Sequence, residues 1–450
     1  MTKQQLDNIK NIHFVGIGGV SMSALALLLK SRGYTVSGSD MNNSEAVQNL
    51  EKNGIQVFIG HSAQNINNAQ TVVYTAAVKK DNPELVKTSE LNIPCVERAE
   101  LLGCIMDDYE CPVGICGTHG KTSVTSMISS ILLKADKNPT IAVGATLDQI
   151  NGNLNIGDDK YFIFESCEYC NSFLNFHPKI SVFTNIEEDH LDFFSGIDEI
   201  IESFRKYSEN THLDGTIVYN ADSDTVIKAI SNTQRKKIGF GINNGDIKAE
   251  NIIYINGCGC FDVILPDNSK LNVRLLIPGE HNIYNALAAI AAAYIMNIDN
   301  QSITEGLEIF KGARRRFEIK YRDDDITIID DYAHHPSEIQ ATLSAAKKMG
   351  YTNVICIFQP HTYTRTKALL EDFAKALRIA DKVILAKIYP AREKDIYNIS
   401  SKDLSAKIEG SECFDSFDEI AEYIKENKKS GGLIITMGAG DIYKIESLLH

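Results

Sequence analysis

The chain has little of what would mark a nucleic-acid binder, a membrane protein or a disulfide scaffold. Positive charge is in deficit: 45 Lys and Arg stand against 59 Asp and Glu, a formal net charge of −14. Such a surface repels phosphate backbones, which argues against nucleic-acid binding but leaves room for a local basic pocket around a phosphorylated ligand. Long apolar runs are missing. Residues 14–29 are mostly apolar, yet Gly16, Gly18, Gly19, Ser21 and Ser23 interrupt them. No small-x-small cleavage site follows the run before charged Lys30 and Arg32, so a strand, a glycine turn and a helix explain the segment better than a signal peptide. The apolar stretch 286–296 is too short to span a bilayer, so no stable membrane insertion is expected. The ten cysteines show no disulfide pattern. Cys167 and Cys170 make a CxxC, but no second one follows, and Cys258-Gly-Cys260 is too tight for a zinc knuckle. Structural thiols in a reducing cytoplasm are the expectation. Internal repeats and low-complexity linkers are absent as well.

What is present is an ordinary globular composition, 44% hydrophobic and 23% charged, over 450 residues. At about 150 residues per domain this predicts three domains. The first hundred residues alternate strands (12–15, 34–37, 72–74) with helices (23–31), the pattern of a parallel, doubly wound sheet. A second unit opens near Pro112 with a strand at 113–116 and a helix at 123–134, followed by strands at 161–164, 180–184, 216–219 and in the 260s and by an Ala-rich helix at 282–296. A third unit begins after Gly312, with strands at 326–329, 354–358, 383–386 and 433–436. The boundaries expected are 1–110, 111–314 and 315–450.

Chemistry concentrates at the ends of these strands. Gly117-Thr118-His119-Gly120-Lys121-Thr122-Ser123 follows a strand and opens a helix. Glycines let backbone N–H groups close around phosphate oxygens, and the helix N-terminus adds its positive dipole end. Lys121 would reach the β- and γ-phosphates and the Thr122 hydroxyl would hold Mg²⁺. The loop is the short GxxGKT form, since Ile115 stands where the longer pattern has its first glycine. A second cluster, Gly16-Ile17-Gly18-Gly19-Val20-Ser21, follows a strand, and Asp40 ends the next. Ser21 takes the place of the third glycine of a dinucleotide fingerprint, so a nicotinamide cofactor and a UDP-sugar both remain open, as does a plain tight turn.

Glu165 and Glu168 follow the 161–164 strand, and Asp189-His190 follows the 180–184 strand. Carboxylate and imidazole beside a phosphate loop suit a divalent cation bridging phosphates. His281 and Asn285 share a helix face after Pro278-Gly279, where they could read a base, while Asn282 could instead be a cap. Arg314-Arg315-Arg316 sits at the second boundary as a phosphate clamp or a solvated face. Asp330-Asp331-Tyr332-Ala333-His334-His335-Pro336 and Gln359-Pro360-His361-Thr362-Tyr363-Thr364-Arg365-Thr366 each follow a strand. His361 and Arg365 are i, i+4, so a helix would present both, and Arg365 suits a substrate carboxylate.

With these motifs in order, the chain resembles the Mur ligases, the ATP-dependent amide ligases of peptidoglycan synthesis. The segments carrying the resemblance are HFVGIGG at 13, GTHGKTS at 117, TNIEEDH at 184, PGEHNIYNA at 278, RRFE at 315, DDYAHHPSE at 330, QPHTYTRT at 359 and MGAGD at 437. HFVGIGG, DDYAHHP and QPHTYTRT favour the alanine-adding branch. The resemblance implies three α/β domains: a Rossmann-like UDP-binding domain, a central P-loop ATPase-type domain and a Rossmann-like domain that brings the amino acid. It implies ATP and Mg²⁺ as cofactors, and UDP-N-acetylmuramate and L-alanine as substrates, in a cytoplasmic monomer or homodimer. By match, Gly16, Gly18, Gly19, Ser39 and Asp40 serve UDP rather than NAD. Residues 117–123, His281, Asn282, Asn285, Arg316 and Asp331 serve ATP, with Lys121, Glu165 and His190 catalytic. Thr122, Glu165 and His190 surround the metal, and His361 and Arg365 meet the amino acid. Three departures stand out: Glu165-Ser166-Cys167-Glu168 for the family's Glu-Ala-Asp-Glu, Thr362 for an arginine in the amino-acid region, and Arg205-Lys206 at the place where other Mur ligases carry a carbamylated lysine. Carbamylation of Lys206 is not expected. A ligase using a recycled peptide, an NAD-dependent oxidoreductase and a non-catalytic UDP-sugar-binding paralogue are the alternatives.

Overall fold

The computed structural model describes residues 2–449 except 76, 77, 392, 428 and 429. The chain forms three α/β units, each on its own sheet. The first sheet contains β1 (Asn11–Val15), β2 (Thr35–Asp40), β3 (Gln56–Ile59), β4 (Thr71–Tyr74) and β5 (Cys95–Glu97), all parallel in the order 3-2-1-4-5. Its helices include α1 (Val20–Ser31) and α2 (Pro83–Glu90). Phe14 and Val15 are fully buried, as a strand covered by helices on both faces requires.

The middle unit holds β6 (Cys111–Cys116), β7 (Pro139–Leu147), β8 (Gly152–Asn155), β9 (Asp158–Glu165), β10 (Ile180–Phe183), β11 (Thr216–Asn220), β12 (Lys236–Gly241), β13 (Ile247–Ile255), β14 (Cys258–Ile264) and β15 (Lys270–Pro278). They pair in the order 15-14-13-12-11-10-6-9-7-8. The centre is parallel, but β13, β14 and β15 form an antiparallel meander. The sequence reading found only one strand candidate there and missed the change of direction. The alternation on β15, buried at every second residue from Leu271, is the pattern of a sheet with one wet face. Two helices cover the parallel centre, α3 (Lys121–Lys134) and α4 (Glu280–Ile295). Residues 286–293 of α4 are all fully buried, and their small side chains explain the Ala-rich run: α4 packs closely on α3 and on the sheet.

The third unit contains β16 (Glu318–Arg322), β17 (Ile326–Asp331), β18 (Val354–Phe358), β19 (Lys382–Leu385), β20 (Glu412–Cys413) and β21 (Gly432–Met437), in the order 16-17-21-18-19-20. It is parallel except for β16. Its site-bearing helices are α5 (Pro336–Lys347) and α6 (Tyr363–Ala368). Two details differ from the sequence reading. Glu165, Asp330 and Asp331 are the last residues of their strands rather than part of the loops after them. His361 lies before α6, not on it, because Thr362 caps that helix by accepting the Arg365 N–H. Among the described residues no helix is long and apolar enough to cross a membrane.

Candidate active site

Strand β6 runs into the glycine loop 117–120 and then into α3. Gly120 caps α3 at φ +83°, and a Cβ there would stand 2.6 Å from Asn285 Oδ1. Gly117, at φ +139°, has no room either, since its Cβ would overlap Thr184 Oγ1. Only glycine fits both places. The segment after β10 cradles the loop from behind. Asn185 accepts the His119 N–H at 2.8 Å and donates to the His119 carbonyl at 3.0 Å, and Thr184 donates to that carbonyl at 2.7 Å.

Lys121 is the first residue of α3, and its ammonium lies 3.0 Å from Glu168 Oε2 and 3.1 Å from the Thr118 carbonyl. Burial disfavours its charge, but Glu168, itself buried, outweighs that and raises the pKa. The cation expected to meet phosphate is therefore held charged and aimed. His190, in a left-handed conformation, stands 3.8 Å from Glu168 Oε1, with its ring packed on Tyr169. Glu165 accepts the Gly144 N–H at 2.6 Å. Thr122 is buried in the first turn of α3.

A cavity of about 290 Å³ opens beside the loop, walled by both the middle and third units. His119, Gly120, Ser123, His281, Asn282, Asn285, Arg316 and Asp331, all named from the sequence, line it together. Phe240, Ile277 and Phe310 give it an apolar floor suited to a flat base. Asn282 caps nothing: Gly279 holds the cap position, and Asn282 donates to the Pro278 carbonyl and accepts from Asn285. The arginine triplet divides three ways. Arg314 reaches Asp148 on the surface. Arg315 is structural, bonded to Asp330 and to the Gly438 and Gly440 carbonyls. Arg316 alone faces the cavity, over the Tyr332 ring. Asp331 accepts the Phe317 and Ala333 N–H groups at 2.8 Å each and braces the wall, and burial pushes its pKa up to about 6.

Glu338, one turn into α5, was not singled out by the sequence reading, yet it organises this wall. It completes a capping box with His335, and its carboxylate lies 3.3 Å from His119 Nδ1, 3.3 Å from His334 Nδ1 and 3.5 Å from Arg316 Nη1. The signal was the Glu three residues after a cap, inside the DDYAHHPSE segment. His119 also meets Glu187 at 3.4 Å and Ser337 at 3.0 Å. Burial works against its charge, but Glu338 and Glu187 push its pKa up to about 9. His119, Glu187 and His335 are the one group among the described residues with metal-like spacing, their ligand atoms within 4.8 Å of one another. With its charge favoured by Glu187 on the middle unit and Glu338 on the third, His119 makes an ionic latch between the two.

A smaller cavity of about 120 Å³ lies across the same boundary, lined by Tyr169, Asp189, His190, His361, Arg365 and Glu393 among others. Asp189, His190, His361 and Arg365 are named from the sequence; Tyr169 and Glu393 carry no motif signal. His361 stacks on Tyr389 and lies 3.4 Å from Arg365 Nη1. In the first unit, the loop after β1 sets the Gly18 N–H on Asp40 Oδ2 at 2.9 Å, while Gly16 and Ile17 donate to the Ser39 carbonyl.

Three family models match the chain. The Mur ligase family catalytic domain matches residues 11–110, the Mur ligase middle domain 115–293, and the Mur ligase glutamate ligase domain 315–440. The chain is 48% identical over 443 residues to a UDP-N-acetylmuramate–L-alanine ligase of Clostridium novyi, covering 98% of this chain and 97% of that protein. It is 49% identical over 447 residues to the enzyme of the same name from Acetivibrio thermocellus, covering 98% and 95%. Among solved structures, the UDP-N-acetylmuramate–alanine ligase of Thermotoga maritima superposes with a TM-score of 0.82 at 31% identity, covering 98% of each chain. A murein peptide ligase from Psychrobacter arcticus gives 0.77 at 25% identity, again covering 98% of each.

Proposed function

This chain belongs to the Mur ligase family, and we propose that it is the ATP-dependent ligase joining L-alanine to the lactyl carboxylate of UDP-N-acetylmuramate in peptidoglycan precursor synthesis. The observation that carries the choice of amino acid is the 48–49% identity over 98% of the chain to ligases that add L-alanine. A murein peptide ligase, by contrast, is only 25% identical. That favours alanine over a recycled peptide. The amino acid would sit in the small cavity between the middle and third units, beside Arg365 and His361.

The reaction needs an activated acyl donor, because a carboxylate has no good leaving group. A lactyl carboxylate oxygen attacks the γ-phosphorus of ATP, and the bond to the ADP oxygen breaks, giving an acyl phosphate. The amine of alanine then attacks the carbonyl carbon, loses a proton, and the C–O bond to phosphate breaks. Attacker and target are both anionic in the first step, so positioning and charge neutralisation supply most of the catalysis. Lys121, the N-terminus of α3 and Arg316 supply that positive field around the phosphates. Arg365 takes the amino-acid carboxylate, and His190 and His361 are the imidazoles lining the cavity where the amine sheds its proton. The Thr122 hydroxyl and Glu165 are oxygen donors of the kind Mg²⁺ takes, and His190 would complete the set; bound there, Mg²⁺ would neutralise phosphate charge. The Gly16–Gly19 loop and the strand ends at Ser39 and Asp40 shape the sheet edge where the UDP part would bind.

Phosphate release with ATP, Mg²⁺ and UDP-N-acetylmuramate tests the proposal, with L-alanine, glycine, L-serine or an alanyl-γ-glutamyl tripeptide as acceptor. Release that requires both the muramate and L-alanine is the expected result. Release with the tripeptide alone would move the protein to the recycling reaction, and no release with any acceptor would remove the catalytic assignment.

A further inference from the structure

The first unit buries a carboxylate that no motif pointed to. Glu84, in the first turn of α2, is fully enclosed. It gathers donors from three segments: Ser39 Oγ at 2.6 Å, Asn65 Nδ2 at 2.6 Å and the Ser62 N–H at 3.2 Å. His13 Nε2 and His61 Nδ1 each stand 3.6 Å from Oε2. Burial opposes its ionisation, but the nearby His13 ring and the bonds from Ser39 and Asn65 outweigh it and hold its pKa down at about 2. A stitch between strands would not need so many groups converging on one oxygen pair.

Counting protons shows what the network fixes. An ionised carboxylate only accepts hydrogen bonds, and a serine hydroxyl has one proton to give. Ser39 gives its proton to Glu84. It must therefore accept from its other neighbour, His61 Nδ1, 3.0 Å away. Nδ1 then carries a hydrogen, and in the neutral ring Nε2 is left as a bare acceptor. His61 lies two residues past the end of β3, whose last residue Ile59 pairs with Asp40. That is the C-terminal edge of the parallel sheet, where such folds bind nucleotides. Its side chain is 17% exposed, enough for one edge to meet a ligand. In dinucleotide-binding folds an acidic residue at the end of the second strand accepts from the ribose. Here Asp40 holds that place, but its two oxygens already take the Gly18 and Asn42 N–H groups.

We propose that Glu84, acting through Ser39, is a positioning residue that fixes His61 as a hydrogen-bond acceptor at Nε2 for a donor of the uridine moiety, its imide N–H or a ribose hydroxyl. This rests on the reading of the first unit as the UDP-binding domain.

The test uses the full chain labelled with ¹⁵N-histidine at pH 8, with His61 assigned by its loss in His61→Gln. Nε2 should resonate as an unprotonated nitrogen and should shift when UDP is added. In Glu84→Gln the new amide donates to Ser39, whose proton turns to His61 and moves the ring hydrogen to Nε2. The KM for UDP-N-acetylmuramate should then rise about tenfold, the scale of one hydrogen bond, with the KM values for ATP and L-alanine unchanged. Substrates with N3-methyluracil or 2′-deoxyribose identify the donor: the analogue lacking it should lose about tenfold with the native enzyme and nothing more with the variant. A protonated Nε2 in the native chain, or a KM rise shared by all three substrates, would overturn the proposal. Should the variant not fold, the native spectrum decides, since UDP that binds without moving Nε2 is equally fatal. UDP that binds and moves Nε2 in a chain that turns over no substrate would sink the ligase assignment and leave this one standing.

Discussion

Arg365 spends two of its nitrogens on a single oxygen of Asp189: Nε at 3.2 Å and Nη2 at 2.9 Å both reach Oδ1, across the boundary between the third and middle units. Nη1 turns instead to His361. The guanidinium thus docks one unit on the other while presenting its remaining edge to the small cavity.

Arg365→Lys keeps the charge, and with it much of the docking, but loses the planar fork. The kcat/KM for L-alanine should fall about a hundredfold, with a much smaller change in the KM for ATP, in steady-state phosphate release. An unchanged alanine KM would mean that the carboxylate binds elsewhere.

Lys121→Met removes the cation that Glu168 holds toward the phosphate loop. The barrier should rise by about 3–4 kcal/mol, a loss of about 10²–10³ in kcat, on the scale of a missing oxyanion donor. Single-turnover phosphate release checks this. A variant within tenfold of wild type would shift the role to Arg316.

Protonated His119 should make stability fall with rising pH. Its folded pKa of about 9 lies above the ordinary 6.5, so its contribution is complete below about pH 6.5 and is lost as the pH passes through 9. The gap corresponds to at most about 3 kcal/mol. The urea midpoint of wild type should exceed that of His119→Asn at pH 6.5, and the two should converge by pH 10. Parallel curves would refute the ionic latch.

Gly120→Ala puts a side chain at φ +83° against Asn285. Strain of this kind costs about 1–3 kcal/mol. Thermal unfolding should fall by several degrees, and ATP binding measured by calorimetry should weaken as the loop shifts off its cradle.

The strand ends were readable from the sequence because hydrophobic strands followed by glycine or polar clusters mark the C-terminal edge of a parallel sheet. Gly117–Lys121, Asp189-His190 and His361–Arg365 could all be placed there before any coordinates. The antiparallel meander was legible but missed: Asn256-Gly257, both at positive φ, make a two-residue hairpin turn between β13 and β14, and Pro266-Asp267-Asn268 marks the turn before β15. Glu338 and Glu84, by contrast, were hidden. Each is an acidic residue near a helix start, which in sequence looks like a capping residue, and only the fold brings the histidines of other segments around it. Thr362 was read as a departure within a helix that carries His361. It is in fact the cap that separates His361 from that helix, a distinction that depends on backbone angles and not on spacing.

The 290 Å³ cavity takes most of its wall from the middle unit and the rest from the third. A nucleotide bound there grips a surface that exists only while the two units are docked, so occupancy and docking are thermodynamically linked and each must favour the other by the same factor. The apparent affinity for ATP then equals the intrinsic affinity scaled by the fraction of molecules already docked. A substitution at Glu338, which holds His119 across the boundary, would register as weaker ATP binding, and saturating ATP would in turn protect the 119–338 contact from opening. Substrate order could thus emerge from a population of hinge states, without any site being built to enforce it.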